Sequence, residues 1–160
     1  MAMTIGVLAD THGLLRPEVL GAFYGVEHIL HAGDIGDAEI LNVLRTIAPV
    51  TAIRGNIDQA GACAKLPPTE AVELGGLLFY LVHSIRDLDL KPDAAKISVV
   101  VSGHSHKPSV HTEKHVLYLN PGSAGPRRFR LPVTVAIVEI SDAKAVANLV
   151  DLVSPEAPTI

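Results

Sequence analysis

The sequence is poor in several residue types that mark particular classes of protein. Its one cysteine, Cys63, excludes an internal disulfide framework, favours a cytoplasmic location and is expected to be a small buried apolar side chain. Tryptophan is absent and aromatic residues make up 4% of the chain, which argues against a sugar-binding or base-stacking surface. No apolar run approaches the roughly 18 residues of a membrane span, and the first residues show no signal-peptide pattern.

Positive charge is also scarce. The chain has 13 Lys and Arg against 17 Asp and Glu, a formal net charge of −4, which argues against a nucleic-acid partner. A length of 160 residues suits one domain, because a chain of this size buries roughly two-thirds of its surface. We therefore expect a single domain over residues 1–153, followed by a frayed, Pro-rich tail at 154–160.

The first third of the chain alternates short apolar runs with amphipathic segments. This pattern predicts strands over 4–9, 28–32 and 50–53, and helices over 16–24 and 37–47. Such alternation is typical of parallel strands joined by right-handed crossovers. In sheets of this kind, ligands bind beyond the carboxyl ends of the strands.

The remainder is dominated by strand and turn signals. The pattern predicts strands over 70–74, 77–83, 97–102, 109–112, 116–120, 134–140 and 145–152, and a short helix over 87–95. The apolar faces of the hairpins leave a homodimer open.

What the chain does have is histidine, with eight residues. Four of them join two aspartates and an asparagine in clusters that follow apolar runs, namely Asp10-x-His12, Gly33-Asp34, Gly55-Asn56, His83 and Gly103-His104-x-His106. Nitrogen and oxygen ligands without thiolates favour Zn²⁺, Mn²⁺, Fe or Ni over Ca²⁺. Seven such side chains are too many for one tetrahedral ion and suit two ions that share a carboxylate. The other histidines at 28, 111 and 115 are interpreted as ordinary strand or surface residues.

The order of these clusters resembles the calcineurin-like metallophosphoesterases, and within them the small bacterial and archaeal phosphodiesterases. The resemblance covers residues 4–140 and includes the segments 9–13 (ADTHG), 31–34 (HAGD) and 120–123 (NPGS). It implies an α/β fold in which a β-sandwich of two mixed sheets is flanked by helices, in four αββα layers. It also implies a metal-dependent phosphoesterase that hydrolyses a small phosphodiester by in-line attack of a hydroxide bridging two divalent ions, with Mn²⁺ expected first and Zn²⁺, Fe, Ni or Mg²⁺ as alternatives.

The resemblance further implies which residues bind the metals. One site would use Asp10, His12, Asp34 and His106, and a second would use Asp34, Asn56, His83 and His104, with Asp34 shared. It makes Asp34, Asn56 and His104 the expected catalytic residues.

Other polar residues near these clusters have two interpretations each. Arg54, Arg127 and Arg128 are candidates to bind the substrate phosphate, with solvated surface charge as the alternative. His31 and Asp58 are candidates to orient the ligands, with a core histidine and a turn cap as the alternatives.

Two positions depart from the family's pattern. Many relatives carry a histidine after the Gly-Asn pair, where it is thought to protonate the leaving group, and this chain has Ile57 there. The ligand corresponding to His83 is usually followed by Gly and His, and here Ser84 and Ile85 follow it. These changes keep open a second interpretation, in which the protein is a non-catalytic metal-binding scaffold or regulator. The retromer subunit of this fold is an example of a non-enzymatic scaffold, and it lacks part of the ligand set.

Overall fold

The strands form two five-stranded sheets that pack face to face. The computed structural model describes residues 2–153, and the tail at 154–160 lies outside the described residues. The strands are β1 (Met3–Leu8), β2 (His28–His31), β3 (Val50–Ala52), β4 (Thr69–Leu74), β5 (Leu77–Val82), β6 (Val99–Val101), β7 (Ser109–Glu113), β8 (Val116–Asn120), β9 (Thr134–Ser141) and β10 (Lys144–Asp151). The α-helices are α1 (Pro17–Ala22) and α2 (Glu39–Arg45).

Both sheets mix parallel and antiparallel strands, as the resemblance predicts. The first has the order β10-β9-β1-β2-β3. In it β1, β2 and β3 are parallel, β9 is antiparallel to β1, and β10 is antiparallel to β9. The second has the order β4-β5-β6-β8-β7, with β5, β6 and β8 parallel. The two mixed sheets of the predicted fold class are therefore confirmed, although both α-helices of the described residues lie over the first sheet, so the second helical layer of the predicted αββα arrangement is not seen. The carboxyl ends of the parallel strands are aligned in each sheet.

Side-chain alternation along the strands builds three apolar clusters. Residues of both sheets fill the interior of the sandwich, for example Ile5 and Val101. The opposite face of the first sheet packs against α1 and α2 through residues such as Phe23 and Leu44. The outer face of the second sheet forms a third cluster around Val100. Because Val100 points to the opposite face from its neighbours in β6, this strand is buried on both sides.

The layer over the second sheet is not helical. The expected helix over 87–95 does not form, and a 3₁₀ turn at Ile85–Asp87 occupies the start of the segment instead. Leu88 and Leu90 are spaced two apart, pack against the third cluster, and are followed by Pro92, which lacks a backbone donor. An alternating apolar pair and a proline favour extended chain over helix.

The helices of the first half form but are shorter than predicted. Helix α1 spans Pro17–Ala22 within the expected 16–24, and α2 spans Glu39–Arg45 within the expected 37–47. The carboxylate of Asp37 accepts a hydrogen bond of 2.9 Å from the Glu39 N–H, so it supports the turn that precedes α2. Among residues 2–153, no helix has both the length and the apolar character needed to cross a bilayer.

We predict that Gly6→Ala destabilises the fold, because a Cβ atom at Gly6 of β1 would lie 2.8 Å from the ring of Phe23. Overpacking of this kind costs about 1–3 kcal/mol of unfolding free energy. Gly21→Ala is the matched control, since a Cβ atom there would meet no atom within 4 Å and alanine favours the helix by about 0.5–1 kcal/mol. Urea unfolding of both variants tests this, and a Gly6→Ala protein as stable as the wild type would contradict the packing of Phe23 on β1.

Candidate metal centre

The polar clusters predicted at strand ends lie along one rim of the sandwich. Asp10 and Asp34 follow β1 and β2, while His83 and His104 follow β5 and β6. We call the loops after β1, β2 and β3 the first, second and third loops. The backbones of the first two are joined, because the Asp10 N–H donates to the Gly33 carbonyl at 3.0 Å and the His12 N–H donates to the Asp34 carbonyl at 2.9 Å. The rim therefore brings together residues that are up to about a hundred positions apart in sequence.

The backbone is strained at this rim. Five candidate ligands have positive φ, namely Asp10 (56°), His12 (46°), Asp34 (56°), His104 (70°) and His106 (62°). Such conformations cost non-glycine residues on the order of 1–3 kcal/mol each and persist only where the surrounding structure holds them. Their concentration at one rim indicates a functional site.

One group of side chains contains Asp10, His12 and His106. Each offers a ligand atom, and these atoms all lie within 4.8 Å of one another. The Nε2 atoms of His106 and His12 are 3.7 Å and 3.9 Å from Oδ1 of Asp10. This group matches three of the four ligands expected for the first metal site.

A second group contains Asp34, His83 and His104, whose ligand atoms meet the same 4.8 Å condition. Nε2 of His83 lies 3.3 Å from Oδ2 of Asp34, and the His83 and His104 rings meet edge to face with centroids 5.2 Å apart. Oδ2 of Asp34 is also 3.5 Å from Nε2 of His12 in the first group. One carboxylate oxygen therefore faces a histidine from each group, which is the position that a shared ligand requires.

Several of these atoms are buried without a hydrogen-bond partner in the described part of the chain. They are Oδ1 of Asp10, Nε2 of His12, Nε2 of His83 and Nδ1 of His106. Leaving a polar group buried and unpaired costs about 1–3 kcal/mol. Carboxylate oxygens and imidazole nitrogens that converge in this way fit divalent transition-metal ions.

Burial and nearby charges set the protonation of the two groups. Burial raises the pKa of Asp10 to about 7 and lowers the pKa of His12 below its usual value. Burial, assisted by the cation of Arg128, also lowers the pKa of His106 to about 4. A lowered pKa keeps an imidazole neutral at neutral pH, and the neutral form is the one that binds metal ions.

Asp34 and His83 form the strongest charge pair of the rim. Burial raises the pKa of Asp34, but the His83 imidazole and the Ile57 N–H outweigh it and bring that pKa to about 2. Burial lowers the pKa of His83. Asp34 and the Ala32 carbonyl together raise that pKa by more, so it lies above its usual value. Because Nδ1 of His83 donates to the Ala32 carbonyl at 2.7 Å, Nε2 is the nitrogen that faces Asp34.

His31 is fully buried and connects the first two loops. Its Nδ1 accepts a hydrogen bond from the Gly33 N–H at 3.1 Å, so in the neutral ring the hydrogen is on Nε2. Nε2 then donates to Oγ1 of Thr11 at 3.0 Å, and that hydroxyl donates to the Ile35 carbonyl at 2.8 Å. Burial lowers the pKa of His31 to about 3, so this chain of donors and acceptors stays intact at neutral pH. His31 thus contacts both loops instead of packing only in the core.

Asp58 joins the second loop to the third through hydrogen bonds to its carboxylate. Its buried carboxylate accepts hydrogen bonds from the N–H groups of Ile35 and Gly36, each at 3.1 Å, and from Gly55 at 2.8 Å. Gly55 lies so close to Asp34 that a Cβ atom would overlap its carboxylate. Asp58 therefore does more than cap its own turn.

The segment 120–123 donates hydrogen bonds to the loops that follow β1 and β6. Oγ of Ser123 donates to the Asp10 carbonyl at 3.0 Å, and Nδ2 of Asn120 donates to the Gly103 carbonyl at 3.0 Å. The sequence predicts no role for Thr11. A buried threonine beside a ligand gives no sequence signal, because its partner is a carbonyl from another loop.

The remaining expected site residues lie around the two groups. Asn56 is exposed and lines a cleft of about 330 Å³ with His83, Arg54 and Asp87, which we call the Asn56 cleft. Nη1 of Arg54 donates to the Leu66 carbonyl at 2.8 Å.

The arginines after Pro126 differ in their relation to the site. Arg128 is close enough for its charge to lower the pKa of His12 and His106, after the larger effect of burial. Arg127 is half-buried, and among residues 2–153 no hydrogen bond or ion pair joins its side chain to a candidate ligand.

The position of the missing family histidine is at the rim. The side chain of Ile57 is 46% exposed, while its N–H donates to Oδ1 of Asp34 at 3.1 Å. Ile85 is also 46% exposed. The backbone of Ile57 therefore holds a candidate ligand, but its side chain offers no proton to a leaving group.

Comparison with known proteins agrees with this geometry. The family model described as the calcineurin-like phosphoesterase superfamily domain matches residues 3–143. A probable metallophosphoesterase of Methanothermobacter thermautotrophicus is 34% identical to this chain, in an alignment that covers 96% of this chain and 95% of that protein.

Solved structures share the fold at lower identity. A novel archaeal phosphodiesterase has a TM-score of 0.76 and 24% identity, covering 92% of this chain and all of that one (100%). Vps29 of Entamoeba histolytica complexed with Zn²⁺ has a TM-score of 0.72 and 20% identity, covering 94% of this chain and 99% of that one.

We predict that Asp58→Asn weakens both the fold and metal binding. An amide presents N–H groups to backbone donors that now face carboxylate oxygens, which costs about 1–3 kcal/mol of unfolding free energy. Loss of an orienting contact lowers metal affinity by about 10–100-fold. Urea unfolding and calorimetric titration with Mn²⁺ measure the two effects. Asp93→Asn, at an exposed loop carboxylate, is the control, and equal behaviour of the two variants would contradict the role given to Asp58.

Proposed function

This chain belongs to the calcineurin-like phosphoesterase superfamily, and we propose that it is a phosphodiesterase that uses two divalent metal ions to hydrolyse a small phosphodiester. The observation that carries the proposal is Oδ2 of Asp34, which lies 3.5 Å and 3.3 Å from imidazole nitrogens of two separate groups. The Methanothermobacter relative bears the name of a probable metallophosphoesterase, and an archaeal structure of the same fold is named a phosphodiesterase.

We assign the proposed ligands to two sites that share Asp34. The first would be held by Asp10, His12, Asp34 and His106, and the second by Asp34, Asn56, His83 and His104. Bound there, two divalent ions supply a hydroxide nucleophile near neutral pH and neutralise charge on the phosphate oxygens. Mn²⁺ is the first candidate, and Zn²⁺, Fe, Ni and Mg²⁺ are the alternatives.

The exposure of the proposed ligands indicates where the substrate enters. His104 and Asn56 are exposed, whereas Asp10, His83 and His106 are buried. The exposed pair can therefore contact the phosphate as well as a metal ion, which supports a catalytic role for them beside Asp34. Arg54 and Arg128 add positive charge near this entrance, where a planar guanidinium pairs well with phosphate oxygens.

Two clefts beside the second group favour a diester over a monoester. His83 and Asn56 line the Asn56 cleft, and His104 lines a separate cleft of about 320 Å³, which we call the His104 cleft. The turn at Ile85–Asp87 stands between them, because Ile85 lines the His104 cleft and Asp87 lines the Asn56 cleft. A phosphodiester has two substituents, and each could occupy one cleft.

A cytoplasmic location and a homodimer remain predictions. Cys63 is free and buried, as expected of a small apolar side chain in a reducing compartment. Val146 and Leu149 lie on opposite faces of the edge strand β10 and are 50% and 41% exposed, so a second chain would have to meet this strand along its edge.

The alternative is a metal-binding scaffold or regulator without catalysis. The specific observation in its favour is the pair of isoleucines at positions 57 and 85, where phosphoesterase relatives place polar groups. Vps29 shares the fold, and its structure with Zn²⁺ shows that metal binding occurs on such a scaffold. The presence of all seven candidate ligands in the sequence, six of them in the two groups, favours the enzyme.

We predict that the protein with added Mn²⁺ hydrolyses bis-p-nitrophenyl phosphate, and that Asp34→Asn and His104→Ala each reduce the rate by about a hundredfold or more, since each removes a metal ligand. Asp142→Asn and His115→Ala are matched controls. Asp142 and His115 are exposed and have positive φ, 51° and 66°, like the residues tested. Calorimetric titration that finds bound Mn²⁺ without hydrolysis would favour the scaffold, and failure to bind Mn²⁺ or any of the alternative ions would contradict both candidates.

We also predict a steep dependence of the rate on the leaving group, because the Ile57 side chain has no proton to donate. A general acid contributes typically 10²–10⁴-fold, so phenyl methyl phosphates with poor leaving groups are expected to react far more slowly than the p-nitrophenyl ester. Ile57→His is expected to accelerate the poorest leaving groups by about tenfold or more and to flatten the dependence. Ile57→Gln controls for polarity alone, and an equal dependence in the wild type and Ile57→His would contradict this account.

A further inference from the structure

The His104 cleft contains a pair of stacked rings that the proposed reaction does not use. Besides His104, it is lined by residues of the turn after His83, the loop after β6, and strands β7 and β8. His111 of β7 and Tyr118 of β8 are directly opposed in the sheet. Their ring centroids are 5.0 Å apart and their planes differ by 6°. A candidate metal ligand and a flat aromatic pair therefore share one cavity.

One ring of the stacked pair is packed against the sheet, and the other ring is exposed. Tyr118 is half-buried and packs into the apolar cluster on the outer face of the second sheet. Tyr118 stacks on one face of the His111 ring, and His111 as a whole is exposed. A fixed aromatic platform of this type binds nucleobases, because every base offers a flat π-face.

The rest of the lining suits the sugar of a nucleoside. The lining of the cleft also presents the hydroxyl groups of Ser84, Ser105 and Ser109, and Arg86 supplies a positive charge. Its volume of about 320 Å³ lies at the lower end of the range for small-molecule sites. The cleft thus combines an aromatic wall, hydrogen-bonding groups and a cation, the three kinds of group that suit the base, sugar and phosphate of a nucleotide.

We propose that the His104 cleft binds the nucleoside arm of a nucleotidyl phosphodiester, with the base stacked on the His111–Tyr118 pair and the phosphate at His104. The proposal rests on the proposed function, since it places the reacting phosphate at the metal centre. It makes His111 and Tyr118 specificity-determining residues. The formal charge of −4 argues for a mononucleotide ester as the substrate in preference to a long nucleic acid.

Two substrates with the same leaving group test the proposal. They are the p-nitrophenyl ester of thymidine 5′-phosphate and methyl p-nitrophenyl phosphate, which differ only in the arm that stays on phosphorus. With Mn²⁺ present, the wild-type protein is expected to prefer the thymidine ester by about ten- to a hundredfold in kcat/KM, the range typical of one stacked base. Tyr118→Leu and His111→Ala are each expected to bring this ratio close to one.

Tyr80→Leu is the matched control for Tyr118→Leu. Tyr80 packs against the same apolar cluster but does not line the His104 cleft. Its replacement is expected to leave the preference for the thymidine ester as in the wild type. If Tyr80→Leu abolishes the preference as fully as Tyr118→Leu does, the effect comes from the cluster and the proposal is overturned.

A binding measurement separates this proposal from the proposed function. Calorimetric titration of the Mn²⁺-treated protein with thymidine 5′-phosphate and with methyl phosphate requires no turnover. We expect about tenfold or tighter binding of the nucleotide, and loss of that advantage in Tyr118→Leu. Hydrolysis of both esters with equal kcat/KM overturns the nucleoside assignment and leaves the phosphodiesterase intact. Hydrolysis of neither ester removes the proposed function, and the titration then still supports or overturns nucleotide binding in the cleft.

Discussion

The two carboxylate oxygens of Asp34 have different partners, and the architecture of the rim depends on both sets of contacts. Oδ1 accepts the N–H of Ile57 at 3.1 Å, which holds the carboxylate against the third loop. Oδ2 faces Nε2 of His83 and Nε2 of His12, at 3.3 Å and 3.5 Å. A bulkier residue at Gly55 would overlap the carboxylate, so this contact requires a glycine there. One side chain thereby links loops from both sheets, and the sandwich is what holds those loops at a common edge.

The rim keeps its strained backbone because rigid contacts surround it. Positive φ at Asp10 and Asp34 is compensated by hydrogen bonds between their loops and by the buried Asp58, which binds three backbone N–H groups. His31 adds a second bridge between the same loops through Thr11. Because each bridge joins a candidate ligand's loop to a different loop, the ligand positions are determined jointly and not by any single strand.

The sequence predicted the strands of the rim and the order of its polar clusters, because short apolar runs that end in polar residues are a local signal. It could not predict the His111–Tyr118 pair, which depends on the register of β7 against β8. The low aromatic content argued against a base-stacking surface, but a residue count does not include histidine and does not report position. The expected helix over 87–95 was wrong, because Leu88, Leu90 and Pro92 suit extended chain packed on the second sheet. Asp58 and His31 had two equal interpretations each, since their partners are backbone groups of distant loops.

The positive charges around the candidate ligands favour the binding of an anion at the rim. The molecule carries a formal charge of −4, yet Arg54 lines the Asn56 cleft, Arg86 lines the His104 cleft, and Arg128 acts on His12 and His106. Cations gathered at the mouth of a site in an otherwise acidic protein attract anions there and leave the rest of the surface repulsive to them. A long polyanion would meet that repulsion along its length, whereas a small phosphodiester would feel only the local field. The distribution of arginines therefore favours a small anion over a long polyanion at the candidate metal centre.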